Sequence, residues 1–230
     1  MDVRVIITAA GGGTRFGLPI PKQFVQLGGE PILTHTVRCF EICDFVEEIA
    51  VVLPPGFDYA ISSPKVKHFA FGKKTRAESV NEGIKKICQG AFSCETIMLV
   101  HDGVRPFVSN EVIKNVAIMA KRHGVAIAAT KLTDTIKKVN ASGFVSETVD
   151  RENLWRAATP QGFKMGILLD SFKMANERGY LKSATDEAFL AEKAGFPIFI
   201  VEGNPENIKI TTLTDLAIAE ALQKTKGWHK

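Results

Sequence analysis

Two cations, Arg15 and Lys22, stand seven residues apart on a stretch that also holds Gly11, Gly12, Gly13 and Gly17. Glycine lets a backbone turn its N–H groups inward and lets a phosphate come close. Fixed positive charge on the same loop suits a polyphosphate. Further on, His101-Asp102-Gly103-Val104-Arg105-Pro106 supplies a carboxylate and another cation, and Asn207-Ile208-Lys209-Ile210-Thr211 supplies a further lysine. An aspartate at the open end of a sheet is placed to hold a Mg²⁺ that bridges nucleotide phosphates. Arg105, three residues on, is placed to bind a second phosphate through its guanidinium fork. His101 would qualify as a general base, but a phosphate monoester is already an anionic nucleophile, and we read the histidine as structural. Phosphoryl-type transfer needs alignment and positive charge more than a nucleophilic side chain.

The spacing excludes two common glycine motifs. In the dinucleotide fingerprint a third glycine follows the second by three residues, and counting from Gly11 and Gly13 that place holds Phe16. Gly12 and Gly17 have the separation of a P-loop, but Leu18 and Pro19 follow where Lys and Ser or Thr belong. Pro19 and Pro21 also oppose a helix that would take the phosphate on its N-terminus. The loop is therefore expected to wrap a triphosphate with backbone and side chains.

The chain of 230 residues is 45% hydrophobic with a net charge of +4, enough for one sizeable core. Basic residues form no run and no basic-aromatic interleave, which favours a small anionic substrate over nucleic acid. No apolar run reaches the length of a membrane span, and the short N-terminal apolar stretch runs straight into the glycine loop. A cytoplasmic protein without membrane or nucleic-acid partners is expected. His35, Cys39 and Cys43 share one helical face, read as buried packing and not as a metal site.

The elements that must position these residues alternate. Strands are predicted at Val3–Ile7, Glu48–Leu53, Val66–Phe71, Thr96–Val100, Val125–Thr130 and Pro197–Val201, and helices at Pro31–Cys43, Thr75–Cys88, Ser109–Arg122, Met165–Arg178, Asp186–Ala194 and from about Thr214. This order predicts an α/β fold with three layers and a mostly parallel sheet, ligands gathering at the carboxyl ends of the strands. One domain over 1–230 is expected. The interval at about 133–152 breaks the alternation: two strand-like runs flank Asn140-Ala141-Ser142-Gly143, a protruding β-hairpin arm. Such a hairpin needs a partner surface, either its own domain or a second subunit.

Taken together, Ala9-Ala10-Gly11-x-Gly13-x-Arg15 and Pro21-Lys22-Gln23 resemble the loop of sugar-phosphate nucleotidylyltransferases, whose fold is Rossmann-like. Adding the His101 and Asn207 segments, Asp134-Thr135-Ile136-Lys137, Thr148-Val149-Asp150-Arg151, Thr159-Pro160-Gln161 and Thr185-Asp186-Glu187-Ala188, the chain is similar to the 2-C-methyl-D-erythritol 4-phosphate cytidylyltransferase family. The resemblance implies transfer of CMP from CTP to the sugar-alcohol phosphate with Mg²⁺. It implies that Arg15, Lys22 and Lys209 are catalytic, Arg15 and Lys22 holding the triphosphate and stabilising charge at the α-phosphoryl and the leaving pyrophosphate, Lys209 contacting the α-phosphate or the incoming phosphate. The nucleotide would be bound by Ala9, Ala10, Gly11, Gly12, Gly13, Arg15, Lys22, Gly72, Ser79 and Asp102, with cytosine read near Ala9, Ala10, Gly72 and Ser79. Asp102, Arg105, Thr135, Arg151 and Thr159 would bind the acceptor, Asp102 also positioning Mg²⁺. Thr135 and Arg151 would reach into a neighbouring subunit's site from the arm of a homodimer. The chain departs from the family at Gly72-Lys73-Lys74, where an acidic residue commonly follows two glycines, and at Thr8 and Leu213, where proline is frequent. Ribitol 5-phosphate cytidylyltransferases share the front loop and the His-Asp-x-x-Arg-Pro segment; a silent nucleotide-binding regulator would lack a reason to keep all the charged positions.

Overall fold

A computed structural model describes residues 1–12, 16, 17, 20–57 and 59–226. Its first strand, β1 (Val3–Thr8), is buried over Val3–Ile7. It pairs in parallel with β4 (Val46–Leu53) and with β6 (Ile97–Asp102). Side chains of β1 alternate between two cores. Val5 and Ile7 belong to a core shared with α1 (Ile32–Glu41) and α3 (Asn110–His123), whereas Ile6 belongs to one shared with α2 (Arg76–Ile87), α4 (Met165–Glu177) and α5 (Glu187–Lys193). Coverage on both faces explains the unbroken apolar runs. Each fully buried Val or Ile contributes roughly 1.5–3 kcal/mol relative to exposure.

The seven-stranded sheet has the order β11-β7-β10-β6-β1-β4-β5, with β5 at Val66–Phe71, β7 at Val125–Lys131, β10 at Trp155–Lys164 and β11 at Phe199–Glu202. The predicted elements are present within a few residues. Local chemistry sets their ends: Thr75 and Glu78 form a reciprocal capping box at α2, Ser109 caps α3 through the Val112 N–H, and Asp186 caps α5 through the Phe189 N–H. Helix α6 (Leu213–Lys226) closes the chain.

The strand β10 is not in the sequence expectation. It runs antiparallel between β6 and β7, and Pro160 lies inside it. Proline removes a ladder donor and argues against a central strand. Here the pairing with β7 shifts register between Ala157 and Gln161, so the ladder passes over Pro160. A small hairpin of β2 (Gln26–Leu27) and β3 (Glu30–Pro31) was likewise not expected. The predicted arm is present as β8 (Ile136–Val139) and β9 (Val145–Val149), turned by Asn140 Oδ1, which accepts from the Ser142 and Phe144 N–H groups at 3.0 Å each. Val139, Phe144 and Val145 on it are exposed.

Candidate active site

The carboxyl ends of β1 and β6 lie side by side, Thr8 opposite Asp102. The strand β6 runs two residues further than expected, so His101 and Asp102 belong to it, and its backbone fixes their directions. From the end of β1 the chain enters the glycine loop, which Gln23 holds: its Nε2 donates to Ala9 O at 2.5 Å and to Gly11 O at 3.2 Å. Gly13 and Arg15 lie outside the described residues. Lys22 begins a 3-10 turn over Lys22–Phe24 and lines the same cavity as Ala9, Ala10, Gly11 and Gly12.

That cavity measures about 350 Å³, a size suited to a small organic ligand. Its far wall is made by Lys73, Lys74, Arg76 and Ser79. Gly72 is held by its N–H to Leu53 O at 2.8 Å, and a Cβ added there would lie 2.1 Å from Ala10 Cβ. Only glycine lets the two segments approach this closely. Ser79 Oγ donates to Thr75 O at 2.8 Å and accepts from the Lys73 N–H at 3.0 Å, so the hydroxyl organises this wall.

Asp102 is buried and bears three cations. Its Oδ2 accepts from Arg105 Nε at 3.0 Å and from Lys209 Nζ at 3.0 Å; its Oδ1 accepts from Arg76 Nη2 at 3.3 Å. Burial alone would raise this carboxyl, but Arg76, Lys209 and Arg105 hold it well below the usual carboxylate range. Arg105 is steadied by Nη1 donating to Asn207 O at 2.8 Å, and Asn207 Nδ2 donates to Thr159 O at 2.8 Å. The segment after β11 is thereby tied to β10 and to the end of β6.

Behind Asp102, Thr159 and His101 form a linked polar network. Thr159 Oγ1 accepts from the Asp102 N–H at 3.1 Å and lies 3.0 Å from His101 Nδ1, while His101 Nε2 lies 3.0 Å from Arg105 O. The carbonyl can only accept, so Nε2 carries the proton and Nδ1 accepts from the Thr159 hydroxyl. Both ring nitrogens serve the scaffold, as the structural reading of His101 expects. Burial pushes this imidazole down to about 4, against the Arg105 carbonyl and Asp102, which favour its charged form. A histidine neutral in the fold and charged when unfolded gives stability that is complete above its ordinary 6.5 and is lost as pH falls toward about 4. The slope is roughly 1 kcal/mol per pH unit. Urea unfolding at pH 7 and pH 5 is therefore expected to show a larger acid-side loss for the native protein than for His101→Gln.

A second, smaller cavity of about 140 Å³ adjoins the first and is lined by Arg105, Thr159 and Asp186. Arg76, Asp102 and Lys209 line both. The structure thus brings together Ala9, Ala10, Gly11, Gly12, Lys22, Ser79, Asp102, Arg105, Thr159 and Lys209, with Gly72 directly against Ala10. Thr135 and Arg151 line neither cavity. Arg151 is exposed on the arm, and its Nη1 donates to Thr133 O. The sequence reading missed Arg76, whose position in the first turn of α2, between Lys74 and Ser79, was the available signal. The Thr185-Asp186-Glu187 motif reads in the sequence as an N-cap with first-turn carboxylates, and Asp186 is that cap; the Gln161 motif carries no such local reading. Gln161 Nε2 donates to Asp186 Oδ2 at 2.8 Å and its Oε1 accepts from the Ala188 N–H at 3.0 Å, which docks α5 on β10.

His35, Cys39 and Cys43 are buried along α1 and just beyond its end. Burial pushes the Cys39 thiol up to about 12 and the Cys43 thiol up to about 11, which keeps both protonated and inert.

Residues 3–225 match the family described as IspD: 2-C-methyl-D-erythritol 4-phosphate cytidylyltransferase. A relative of that name from Geotalea uraniireducens (strain Rf4) is 39% identical, the match covering 98% of each chain. One from Geobacillus kaustophilus (strain HTA426) is 37% identical over 96% of this chain and 97% of its own. The crystal structure of 2-C-methyl-D-erythritol 4-phosphate cytidylyltransferase from Thermus thermophilus superposes with a TM-score of 0.81 at 33% identity, covering 97% of this chain and all of that one (100%). That from Francisella tularensis gives 0.83 at 31%, covering 96% and 99%. With its mostly parallel sheet, its glycine loop and the charged cluster at Asp102, the chain belongs to the 2-C-methyl-D-erythritol 4-phosphate cytidylyltransferase family.

Proposed function

We propose that the two adjoining cavities divide the substrates of this family's reaction between them. The enzyme transfers CMP from CTP to 2-C-methyl-D-erythritol 4-phosphate, giving 4-diphosphocytidyl-2-C-methyl-D-erythritol and pyrophosphate. CTP occupies the larger cavity, its cytosine against Ala10, Gly72 and Ser79 and its triphosphate along Gly11, Gly12 and Lys22. The sugar phosphate occupies the smaller cavity beside Arg105 and Thr159. One observation carries this reading: Lys209 and Asp102 line both spaces, so a phosphate oxygen of the acceptor and the α-phosphorus of CTP would meet beside them. Attack there forms the new P–O bond and breaks the bond to pyrophosphate. Lys22, with Arg15, offsets the charge that grows on the leaving group, and Lys209 orients the attacking phosphate. Lys73 and Lys74 add positive charge to the wall where the family pattern places an acid.

Among the described residues no cluster of three His, Cys, Asp or Glu side chains forms a metal cage. Asp102 Oδ2 already holds Arg105 and Lys209, so it suits Mg²⁺ only after incoming phosphates have drawn those cations away. The fit is to an ion that arrives on the triphosphate and takes most ligands from it. When bound, Mg²⁺ would neutralise phosphate charge and polarise the α-phosphoryl group.

In this reading the chain acts as one domain over 1–230, in the cytoplasm with its nucleotide substrate, and forms a homodimer through the arm at about 133–152. The exposed Val139, Phe144 and Val145 support a partner surface there. Among the described residues no helix is long and apolar enough to cross a membrane. Arg151→Ala is expected to raise the KM of the sugar phosphate and leave that of CTP nearly unchanged. Mixed with Lys22-defective chains, it should regain part of the activity; no recovery would count against sites shared between subunits. Pyrophosphate release from CTP that requires Mg²⁺ and the sugar phosphate tests the reaction itself. Faster turnover of ribitol 5-phosphate would replace the acceptor, and release in the absence of any acceptor would refute the transfer.

A further inference from the structure

The mechanism above leaves one buried carboxylate unused. Glu187, the first residue of α5, is fully buried at 0% exposure, a costly place for an unpaired charge. Its Oε2 accepts from Arg76 Nη1, and its Oε1 is buried without a hydrogen-bond partner among the described atoms. Burial pushes the Glu187 carboxyl up, and Arg76 opposes that push. Arg76 also gives Nη2 and Nε to Asp102 Oδ1, at 3.3 and 3.4 Å. Burial works against its guanidinium charge, but Glu187 and Asp102 more than restore it.

Asp102 is therefore gripped from two sides. On Oδ2 it holds Arg105 and Lys209, the two cations assigned to the substrates' phosphates. On Oδ1 it holds Arg76, whose other edge is fixed by a carboxylate at the start of a docked helix. That helix cannot shift freely, because Gln161 of β10 binds Asp186 and the Ala188 N–H on either side of Glu187. We propose that Glu187 is a positioning residue: by clamping Arg76 it keeps Asp102 in the wall shared by the two cavities while Arg105 and Lys209 turn to the phosphates. The proposal rests on the cytidylyl-transfer reading of the site. With Glu187 neutralised, the guanidinium keeps only its longer bonds to Asp102 Oδ1 and is held less firmly against turning toward either cavity. The acceptor then loses its alignment, whereas the glycine loop and Lys22 still hold the nucleotide.

The test uses the full chain in four forms: native, Glu187→Gln, Arg76→Lys, and the two changes combined. Calorimetric titration reads the Kd of CTP, pyrophosphate release reads kcat and the KM of the sugar phosphate, and thermal unfolding reads the fold. Glu187→Gln is expected to lower kcat/KM for the sugar phosphate at least about 10-fold with the CTP Kd held within about 3-fold, since misplacement acts on the acceptor. Arg76→Lys keeps the charge but loses the two-sided fork, and is expected to lower kcat/KM for the sugar phosphate alike; because Arg76 also lines the larger cavity, the CTP criterion is applied to Glu187→Gln alone. The combined variant should be no worse than the more damaged single one, because both act through one contact. Additive losses, or native acceptor kinetics in a folded Glu187→Gln enzyme, would overturn the proposal. Should Glu187→Gln fail to fold, Arg76→Lys decides, with unchanged acceptor kinetics as the refuting result. A native protein that binds CTP yet makes no CDP-alcohol would overturn the underlying reading, and is told apart because the loss precedes any substitution.

Discussion

Replacing Lys22 by alanine is expected to lower kcat by roughly two orders of magnitude or more while changing the KM for CTP far less, as for a charge that matters most in the transition state. Its place carries the argument. Lys22 opens a 3-10 turn that follows directly on the glycine loop and faces the cavity bounded by Ala10, Asp102 and Lys209. A lysine that only gathered the triphosphate would stabilise ground state and transition state equally, and its loss would appear in KM. Negative charge accumulates on the pyrophosphate as the P–O bond breaks, so a cation fixed beside it acts on the barrier. Single-turnover rates at saturating CTP separate the two cases. A native single-turnover rate with weakened CTP binding would remove Lys22 from the chemistry.

Asp102→Asn should abolish turnover and also weaken the fold. The side chain is nearly the same shape, so packing survives; what is lost is the one negative charge on which Arg76, Arg105 and Lys209 converge. Removing one partner of a buried ion pair costs about 3–5 kcal/mol. Lys209 is 39% exposed, and solvent screens it, so the lower end of that range is expected. The pH dependence distinguishes this acid from its neighbour. The Asp102 carboxyl is held far below its ordinary value of 3.8, so its contribution is complete above that pH and is lost only in stronger acid. The difference between Asp102→Asn and the native protein should therefore be flat from about pH 5 to 8 in urea unfolding, whereas the His101 effect sets in below its ordinary 6.5. A difference that vanished by about pH 5 would show that Asp102 is not held ionised by the three cations.

Much of this site is legible in the sequence, and the rest is hidden for physical reasons. The helices Thr75–Cys88 and Ser109–Arg122 are legible because apolar residues at helical spacing are a local pattern. The buried strands Val3–Ile7 and Thr96–Val100 declare themselves by length and composition. The strand β10 did not, since Pro160 speaks against a central strand and the register shift that accommodates it is a property of the pairing with its partner. Asp102 was found from its place after an apolar strand. Its grip by Arg76 was not, because that contact joins residues 26 apart in the chain, one on a helix and one on a strand. Glu187 was masked by its position: in the first turn behind a capping aspartate, a glutamate reads as a complement to the helix dipole, and only burial shows that it faces inward.

The place of β10 in the sheet also orders events in time. The strands β6 and β7 follow one another in the chain but are not neighbours; the gap between them is filled by a segment synthesised later. As the chain leaves the ribosome, β1, β4, β5 and β6 can pair as soon as they exist, while β7 has no strand beside it until β10 and then β11 emerge. Asp102 waits at the open edge of that early half-sheet. Thr159, Glu187 and Lys209 reach it in that order, so its charged surroundings are completed only near the end of synthesis. A chain shortened before Lys209 would lack a cation that lines both cavities, so the segments that emerge last are expected to complete the alignment of the two substrates and not the hold on the nucleotide alone.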